Sequence, residues 1–139
     1  MILWTIEKLE ENDGFQRNVS NTIKYLFVDE FQDTSVVQNK LVDLLVKGKD
    51  NPNIFVVGDD DQSIYRFRGA RPEIMLGFER DFKNVSKVFL DINFRSSTQI
   101  VDASTKLISF NSKRFPKTFT AHNGSGAPVS VIEFKNPFA

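Results

Sequence analysis

Two adjacent carboxylates, Asp29 and Glu30, follow directly after four apolar or aromatic residues at positions 25–28. In nucleotide sites Mg²⁺ is typically held by one or two carboxylates together with the phosphates of the substrate, and Asp29 suits that role. Glu30 could orient or deprotonate a water molecule that attacks a phosphoryl group. The alternative is that the pair only ends a strand and solvates a loop, which is the better interpretation of an isolated acidic dipeptide.

A second polar cluster, at positions 58–65, follows another apolar run, at positions 54–57. It leads into alternating aromatic and basic side chains, namely Tyr65, Arg66, Phe67 and Arg68. A nucleic-acid base stacked on an aromatic ring contributes about 1–3 kcal/mol without sequence preference, so this stretch could bind any single strand. The alternative is aromatic core packing with exposed arginines.

The elements that must position these residues alternate between short apolar runs and helical patterns, which is typical of βαβ units. Strands are predicted at 25–28, buried on both faces, and at 54–57, 88–90 and 128–134. The predicted fold class is therefore α/β, with a parallel sheet, flanking helices and right-handed crossovers. Ligands of such sheets bind at the carboxyl ends of the strands, where both acidic clusters lie.

The longest helical patterns follow the first and third predicted strands. The first helix is capped by Thr34 or Ser35 and ends near Gly48, with an inward face formed by Val37, Leu41, Leu44 and Leu45. The other spans residues 96–109, with inward side chains at Ile100, Val101, Leu107 and Ile108.

The remaining segments give weaker patterns. Pro72 could open a short helix that runs through Phe78, and Leu3, Ile6 and Leu9 allow a short N-terminal helix. Residues 12–20 suggest a polar connector, and residues 110–128 suggest a loop or a crossover to another domain.

Composition excludes several classes of protein. The 139 residues suit one compact domain, and 40% hydrophobic residues with fourteen phenylalanines argue against disorder. The sequence has no long apolar run that would cross a membrane, and its 18 basic and 18 acidic residues cancel. Without cysteine, a reducing cytoplasm is the expected location, and the single histidine, His122, predicts an exposed loop residue rather than part of a triad.

Three segments, VDEFQDT, VVGDDDQSIYRFRGA and LDINFRS, occur in this order and resemble motifs of the UvrD/Rep family of superfamily 1 DNA helicases. The resemblance covers roughly residues 20–134, and its fifteen-residue middle block is far more specific than a short motif. It implies a parent protein that hydrolyses ATP with Mg²⁺ and moves 3′ to 5′ along single-stranded DNA.

The first two motifs carry most of the implied site. By resemblance to the Walker B motif, Asp29 holds the magnesium of MgATP, Glu30 activates the attacking water, and the nucleotide site is supported by Gln32 and Asp33. The resemblance further implies that Gln62 senses the γ-phosphate and couples it to DNA, with Asp59, Asp60 and Asp61 shaping its loop. A solvated turn is the alternative for Asp60.

The resemblance extends to the DNA-binding stretch and to the third motif. It implies that Tyr65 and Phe67 lie near single-stranded DNA, although many relatives carry Gly and Trp in place of Arg66 and Phe67. Arg95 resembles an arginine that reaches the γ-phosphate, and such a residue can contribute roughly 10³–10⁵ in rate. Phe94 is implied to stack on adenine, where most relatives carry Tyr. The alternative for this motif is a helix N-terminus capped by Ser96.

The sequence contains no phosphate-binding G-x-x-x-x-G-K-[ST] motif and no recognisable motif of the second RecA-like domain of this family. The resemblance therefore implies a partial RecA-like sheet of the P-loop NTPase type that works with the remaining helicase domains. Residues 1–20 are expected to be the end of an inserted helical subdomain or a connector, residues 21–125 the C-terminal half of the first RecA-like domain, and residues 126–139 the start of the second. We expect the chain to be inactive alone.

Two other functions stay open. One is a truncated, non-catalytic module that binds single-stranded DNA or a protein partner through residues 65–68. The other is a two-metal nuclease, in which ions about 3.5–4 Å apart share several carboxylates. A pure binder has no need for a magnesium ligand, a water-activating acid and a γ-phosphate arginine together, which favours descent from a working ATPase.

Overall fold

The computed structural model describes residues 1–133, which form two compact units. The first unit is Met1–Ser86, and the second begins at Lys87. The helices of the first unit are α1 (Ile2–Glu11), α2 (Asp13–Thr22), α3 (Val36–Val46), α4 (Pro72–Leu76) and α5 (Phe78–Asp81), and its strands are β1 (Leu26–Val28) and β2 (Ile54–Val56). The second unit contains β3 (Ile92–Asn93), α6 (Thr98–Ile108) and β4 (Thr120–Ala121). This is a mixed α/β structure with small parallel sheets.

β1 and β2 confirm the first two predicted strands, and they pair in parallel with Leu26 opposite Ile54 and Val28 opposite Val56. The prediction that the first strand is buried on both faces is wrong. Phe27 is 71% exposed, and its ring lies 5.9 Å from that of the exposed Phe55 on the neighbouring strand. One face of this two-stranded sheet is therefore apolar but uncovered.

α3 confirms the predicted helix, and its N-terminus shows why it begins there. The Ser35 hydroxyl accepts a hydrogen bond from the Gln38 N–H while the Gln38 side chain accepts one from the Ser35 N–H, which is a capping box. Leu44 is buried against Ile6 and Leu9 of α1 and forms the core of this unit. The predicted inward position of Val37 is wrong, because this side chain is exposed at the start of the helix.

α1 confirms the N-terminal helix, but the polar connector predicted at 12–20 is wrong because α2 covers most of it. α2 packs through polar groups that an apolar pattern does not reveal. Gln16 donates a hydrogen bond of 2.7 Å to the Leu44 carbonyl, and the Ser20 hydroxyl donates one of 3.2 Å to the Lys47 carbonyl. Both carbonyls lie at the C-terminal end of α3, where backbone acceptors lack intrahelical partners.

The predicted helix from Pro72 through Phe78 is present as two short helices, α4 and α5, separated at Gly77. The Phe78 ring packs edge-on against the buried Phe31 ring, with a centroid distance of 5.6 Å. This contact fixes α5 against the loop that follows β1.

The second unit differs most from the sequence prediction. The strand predicted at 88–90 is wrong: these residues are irregular, and pairing begins only at β3, which is parallel to β4. The strand predicted at 128–134 is absent from residues 128–133, and Phe134 lies outside the described residues. α6 confirms the predicted helix, and Val101 is buried, but Ile100 and Leu107 are exposed rather than inward.

None of the helices within residues 1–133 combines the length and the apolar character needed to span a membrane.

Candidate functional site

The loop after β1 holds the two adjacent carboxylates, Asp29 and Glu30. The Asp29 carboxylate accepts a hydrogen bond of 2.9 Å from the Glu30 backbone N–H, and both residues are exposed. Glu30 has a left-handed backbone conformation, with φ 49° and ψ 44°. For a residue other than glycine such a conformation costs about 1–3 kcal/mol and persists only where the surrounding structure imposes it. The strained residue is the proposed water-activating acid.

Gln32 joins this loop to the loop after β2. Its side-chain amide donates a hydrogen bond of 2.7 Å to Glu30 Oε2 and accepts one of 3.0 Å from the Asp59 backbone N–H. Its backbone carbonyl accepts a third bond, of 3.1 Å, from the Ser63 hydroxyl. Gln32 is only 2% exposed, so its own side chain is shielded from water, whereas Glu30 is exposed.

The loop after β2 is folded around the Asp59 carboxylate. One oxygen accepts a hydrogen bond of 3.2 Å from the Asp61 N–H, and the other accepts one of 2.7 Å from the Gln62 side chain. Asp60 is buried, so its interpretation as a solvated turn residue is wrong. The carboxylates of Asp59, Asp60 and Asp61 each offer an oxygen within 4.8 Å of the others.

Gly58 and Ser63 are two contributors to this arrangement that the sequence reasoning missed. A Cβ atom added at Gly58 would lie 2.4 Å from Gln32 Oε1 and 3.1 Å from the Phe31 backbone nitrogen. The backbones of the two loops can approach so closely only because residue 58 has no side chain. A glycine directly after a strand is a known sign of such an approach and could have pointed to it.

Residues of both loops line one cavity of about 510 Å³. It is lined by Glu30, Gln32, Asp33, Asp61, Gln62, Ile64 and Tyr65. Three sets of predicted residues thus meet here: the water-activating acid, the γ-phosphate sensor and one aromatic of the DNA-binding stretch.

The oxygen atoms around this cavity fit a hard cation such as Mg²⁺. Asp33 Oδ1 is buried and takes no hydrogen bond from the described residues, which is unusual for a carboxylate oxygen. Asp29 stands exposed at the adjacent strand end and offers further oxygen ligands. Carboxylate oxygens supplemented by water and phosphate are the ligands that Mg²⁺ prefers. The side chains of Asp29 and Asp33 therefore have the chemistry required of Mg²⁺ ligands.

The aromatic and basic stretch, residues 65–68, is a surface and not a core. Phe67 is 79% exposed, and its ring lies 6.0 Å from the Tyr65 ring at an angle of 50°. The Arg68 guanidinium lies 5.3 Å from the centroid of Tyr65 and 5.5 Å from that of Phe67, while Arg66 pairs with Glu73 at 3.1 Å. The core-packing alternative is wrong for Phe67.

Phe94 and Arg95 belong to the second unit, where Asn93 organises their turn. The Asn93 side chain accepts hydrogen bonds from the Arg95 and Ser96 N–H groups, at 3.0 and 2.8 Å. Phe94 is 65% exposed, and its ring lies 4.7 Å from the ring of His122, which is exposed as predicted. The N-cap of α6 is Ser97, so the prediction of Ser96 as cap is wrong.

Comparison with known proteins identifies the class. Residues 1–83 match the model of the UvrD/REP helicase N-terminal domain, and this match covers more than half of the chain. The chain belongs to the UvrD/REP helicase family.

Individual relatives match almost the whole chain. It is 40% identical over 136 residues to the ATP-dependent DNA helicase Rep of Escherichia coli strain K12, which is 98% of this chain and 20% of that protein. It is 38% identical over 130 residues to the ATP-dependent DNA helicase PcrA of Leuconostoc citreum, which is 94% of this chain and 17% of that protein. The chain thus spans about a fifth of the length of these curated relatives.

Proposed function

We propose that the chain supplies part of the ATP site and part of the single-strand contact of an ATP-dependent 3′–5′ DNA helicase. In this proposal its first unit belongs to a partial RecA-like domain of the P-loop NTPase type. One observation carries the proposal: Glu30, Gln62 and Tyr65, from the two strand-end loops, line the same cavity. ATP hydrolysis and binding of a DNA strand can be coupled when the residues responsible for each line the same cavity.

The two proposed Walker B carboxylates, which follow β1, have different roles. Asp29 is the proposed ligand of Mg²⁺, and Glu30 positions the water that attacks the γ-phosphate of ATP. Asp33 supports the site with its buried Oδ1, which takes no hydrogen bond from residues 1–133. Gln32 supports it through its hydrogen bond to Glu30. The bound metal supplies charge stabilisation for the phosphoryl oxygens.

Gln62 is the proposed sensor that links the γ-phosphate to DNA. Its amide is held by Asp59, and Tyr65 follows three residues later. A change in the position of this short segment would therefore reach the aromatic surface directly. The exposed rings of Tyr65 and Phe67 offer stacking faces for bases, and Arg66 and Arg68 add positive charge beside a phosphate backbone.

Two further nucleotide contacts are proposed for side chains of the second unit. We propose that Phe94 stacks on the adenine ring and that Arg95 stabilises the charge that develops on the γ-phosphate. The exposed Phe94 ring provides the stacking face that a tyrosine would, but not the phenolic hydrogen bond. Hydrolysis then requires the remaining helicase domains, because no phosphate-binding loop motif occurs in this sequence. The cytoplasmic location expected from the sequence stays a prediction.

Binding of single-stranded DNA tests the part of this function that the chain can perform alone. We expect weak binding of a fluorescent oligothymidylate that weakens steeply with added salt. Phe67→Ala should weaken it about tenfold, within the range of one base–aromatic contact. Phe110→Ala is the matched control, since Phe110 is also a highly exposed phenylalanine. Equal affinity for both variants would contradict the stacking role.

The second candidate function, a non-catalytic module for single-stranded DNA or a protein partner, rests on the same exposed surface at residues 65–68. A hybrid of the Escherichia coli Rep helicase, in which this chain replaces the 136 matched residues, distinguishes the two. The helicase proposal expects DNA-stimulated ATP hydrolysis that Glu30→Gln removes while DNA binding persists. DNA binding without any turnover by the hybrid supports the module instead.

A further inference from the structure

We propose that Gln32 is a positioning residue through which the loop after β2 sets the position of the Glu30 carboxylate, an inference that rests on the proposed function. Glu30 and Asp59 end two different strands and are 29 positions apart in the sequence. The Gln32 side chain bridges them, with 2.7 Å to Glu30 Oε2 and 3.0 Å from the Asp59 N–H. If the Gln32 side chain only filled space between the loops, it would not need either of these two hydrogen bonds.

The bridge has a defined direction. A backbone N–H can only donate, so the amide oxygen of Gln32 must face Asp59, and its NH₂ group must then face the acceptor, Glu30. The bond to Glu30 fixes one carboxylate oxygen, Oε2, whereas Oε1 takes no hydrogen bond from the described residues. Oε1 is thus the carboxylate oxygen that has no protein donor among these residues, and a water molecule can donate to it.

The bridge continues beyond Asp59. The Asp59 carboxylate holds the Gln62 side chain at 2.7 Å, so the hydrogen bonds run without a break from Glu30 through Gln32 and Asp59 to Gln62. Ser63 adds a second tie between the same loop and the Gln32 backbone. A displacement of the loop by nucleotide or DNA would move Gln32 and, with it, the acid. Coupling of this kind needs a contiguous physical connection, and this chain of contacts supplies one.

Gly58 allows the bridge to be broken without changing Gln32. A Cβ atom at residue 58 would lie 2.4 Å from Gln32 Oε1, inside the space that the amide occupies. Gly58→Ala must therefore displace the Gln32 side chain or the backbone beneath it. If Gln32 positions Glu30, Gly58→Ala and a substitution of Gln32 itself should have the same effect on Glu30.

The first test uses NMR of the ¹⁵N-labelled chain without ligands. Gln32→Leu and Gly58→Ala should both shift the signals of Glu30 and of the Gln62 side chain, and should speed amide hydrogen exchange at Asp59 about tenfold. Gln16→Leu is the matched control, because Gln16 is likewise 2% exposed and donates to backbone carbonyls, but in the contact between α2 and α3. It should leave these signals in place. Unchanged Glu30 and Gln62 signals in Gln32→Leu, or equal shifts in Gln16→Leu, would overturn the inference.

Gln32→Glu separates the two ends of the bridge. While ionised, its carboxylate can still accept from the Asp59 N–H, but it cannot donate to Glu30. We expect the Asp59 amide to stay protected while the Glu30 signals shift. Loss of protection at Asp59 with unshifted Glu30 signals is the opposite pattern and would rule out the proposed direction of the bridge.

The second test measures turnover in the Rep hybrid described above. A catalytic group displaced by about 1 Å can lose about 10²-fold in rate, so Gln32→Leu and Gln32→Glu should lower kcat by up to that factor. The KM for ATP should change less than about threefold, because Gln32 is proposed to act on Glu30 and not on the nucleotide. Unchanged kcat, or equal changes in kcat and KM, contradicts a positioning role. A hybrid without turnover counts against the proposed function, whereas the NMR test still decides the bridge.

Discussion

At the scale of single residues, Glu30 combines two features that ordinary loop residues do not share. Its backbone is left-handed although it is not glycine, asparagine or aspartate, and its carboxylate is held by a buried glutamine. Backbone strain of this kind clusters at functional sites, where the position of a side chain matters more than the folding free energy that the strain costs. The strain is a property of the folded chain that can be measured without any substrate.

Glu30→Gly should have a free energy of unfolding about 1 kcal/mol higher than Glu30→Ala, because both variants lose the hydrogen bond from Gln32 while only glycine adopts the left-handed conformation without steric cost. Urea unfolding followed by circular dichroism measures this change. Asn84 has a similar φ of 56° and is a residue type that tolerates it, so Asn84→Gly is the control and should be nearly neutral. A Glu30→Gly chain no more stable than Glu30→Ala would show that residue 30 carries no backbone strain.

At the scale of elements, the placement of the site depends on where α3 begins. The helix starts one residue after Ser35, and the strand-end loop from Asp29 to Thr34 must therefore close within six residues. Ser35 also forms an isolated bridge with Ala70, and the Arg71 N–H donates to the Thr34 carbonyl at 3.0 Å. The helix start thus anchors both the loop after β1 and the segment that follows the aromatic surface.

Ser35→Ala should destabilise the first unit by about 1 kcal/mol, as expected for loss of an N-cap side chain. Thermal unfolding followed by circular dichroism gives the shift. Ser97→Ala is the matched control, because Ser97 is the N-cap of α6 but makes no side-chain capping hydrogen bond. Similar losses in both variants would mean that the capping box contributes nothing specific.

At the scale of the whole molecule, the chain carries one part of a larger set of functional groups. It spans about a fifth of the length of its relatives and contains no phosphate-binding loop motif. The proposed Mg²⁺ ligand, water-activating acid and sensor therefore lack the residues that hold the phosphates of ATP. The aromatic surface proposed to bind a single strand, in contrast, lies wholly within the first unit.

The purified chain should show no ATP hydrolysis above background, with or without single-stranded DNA, because the phosphates are not held for in-line attack. A coupled assay of ADP release measures this, and the Rep hybrid serves as the positive control. Turnover by the isolated chain that disappears in Glu30→Gln would refute the proposal that it carries only part of the site.

The sequence by itself determined the identity and order of the three helicase motifs, the strands β1 and β2, and the position of Asp29, Glu30 and Gln62 after those strands. These features are local, since strand pattern and capping residues lie within a few positions of each other, and parallel pairing brings the carboxyl ends of the strands to one edge. It did not reveal α2, whose buried face is polar, or the unpaired state of residues 88–90. Tertiary structure alone decided that Gln32 bridges Glu30 and Asp59, that Asp60 is buried and that Phe27 is not. Each of these depends on contacts between segments far apart in the chain, such as Gly58 against Gln32, which no local pattern records.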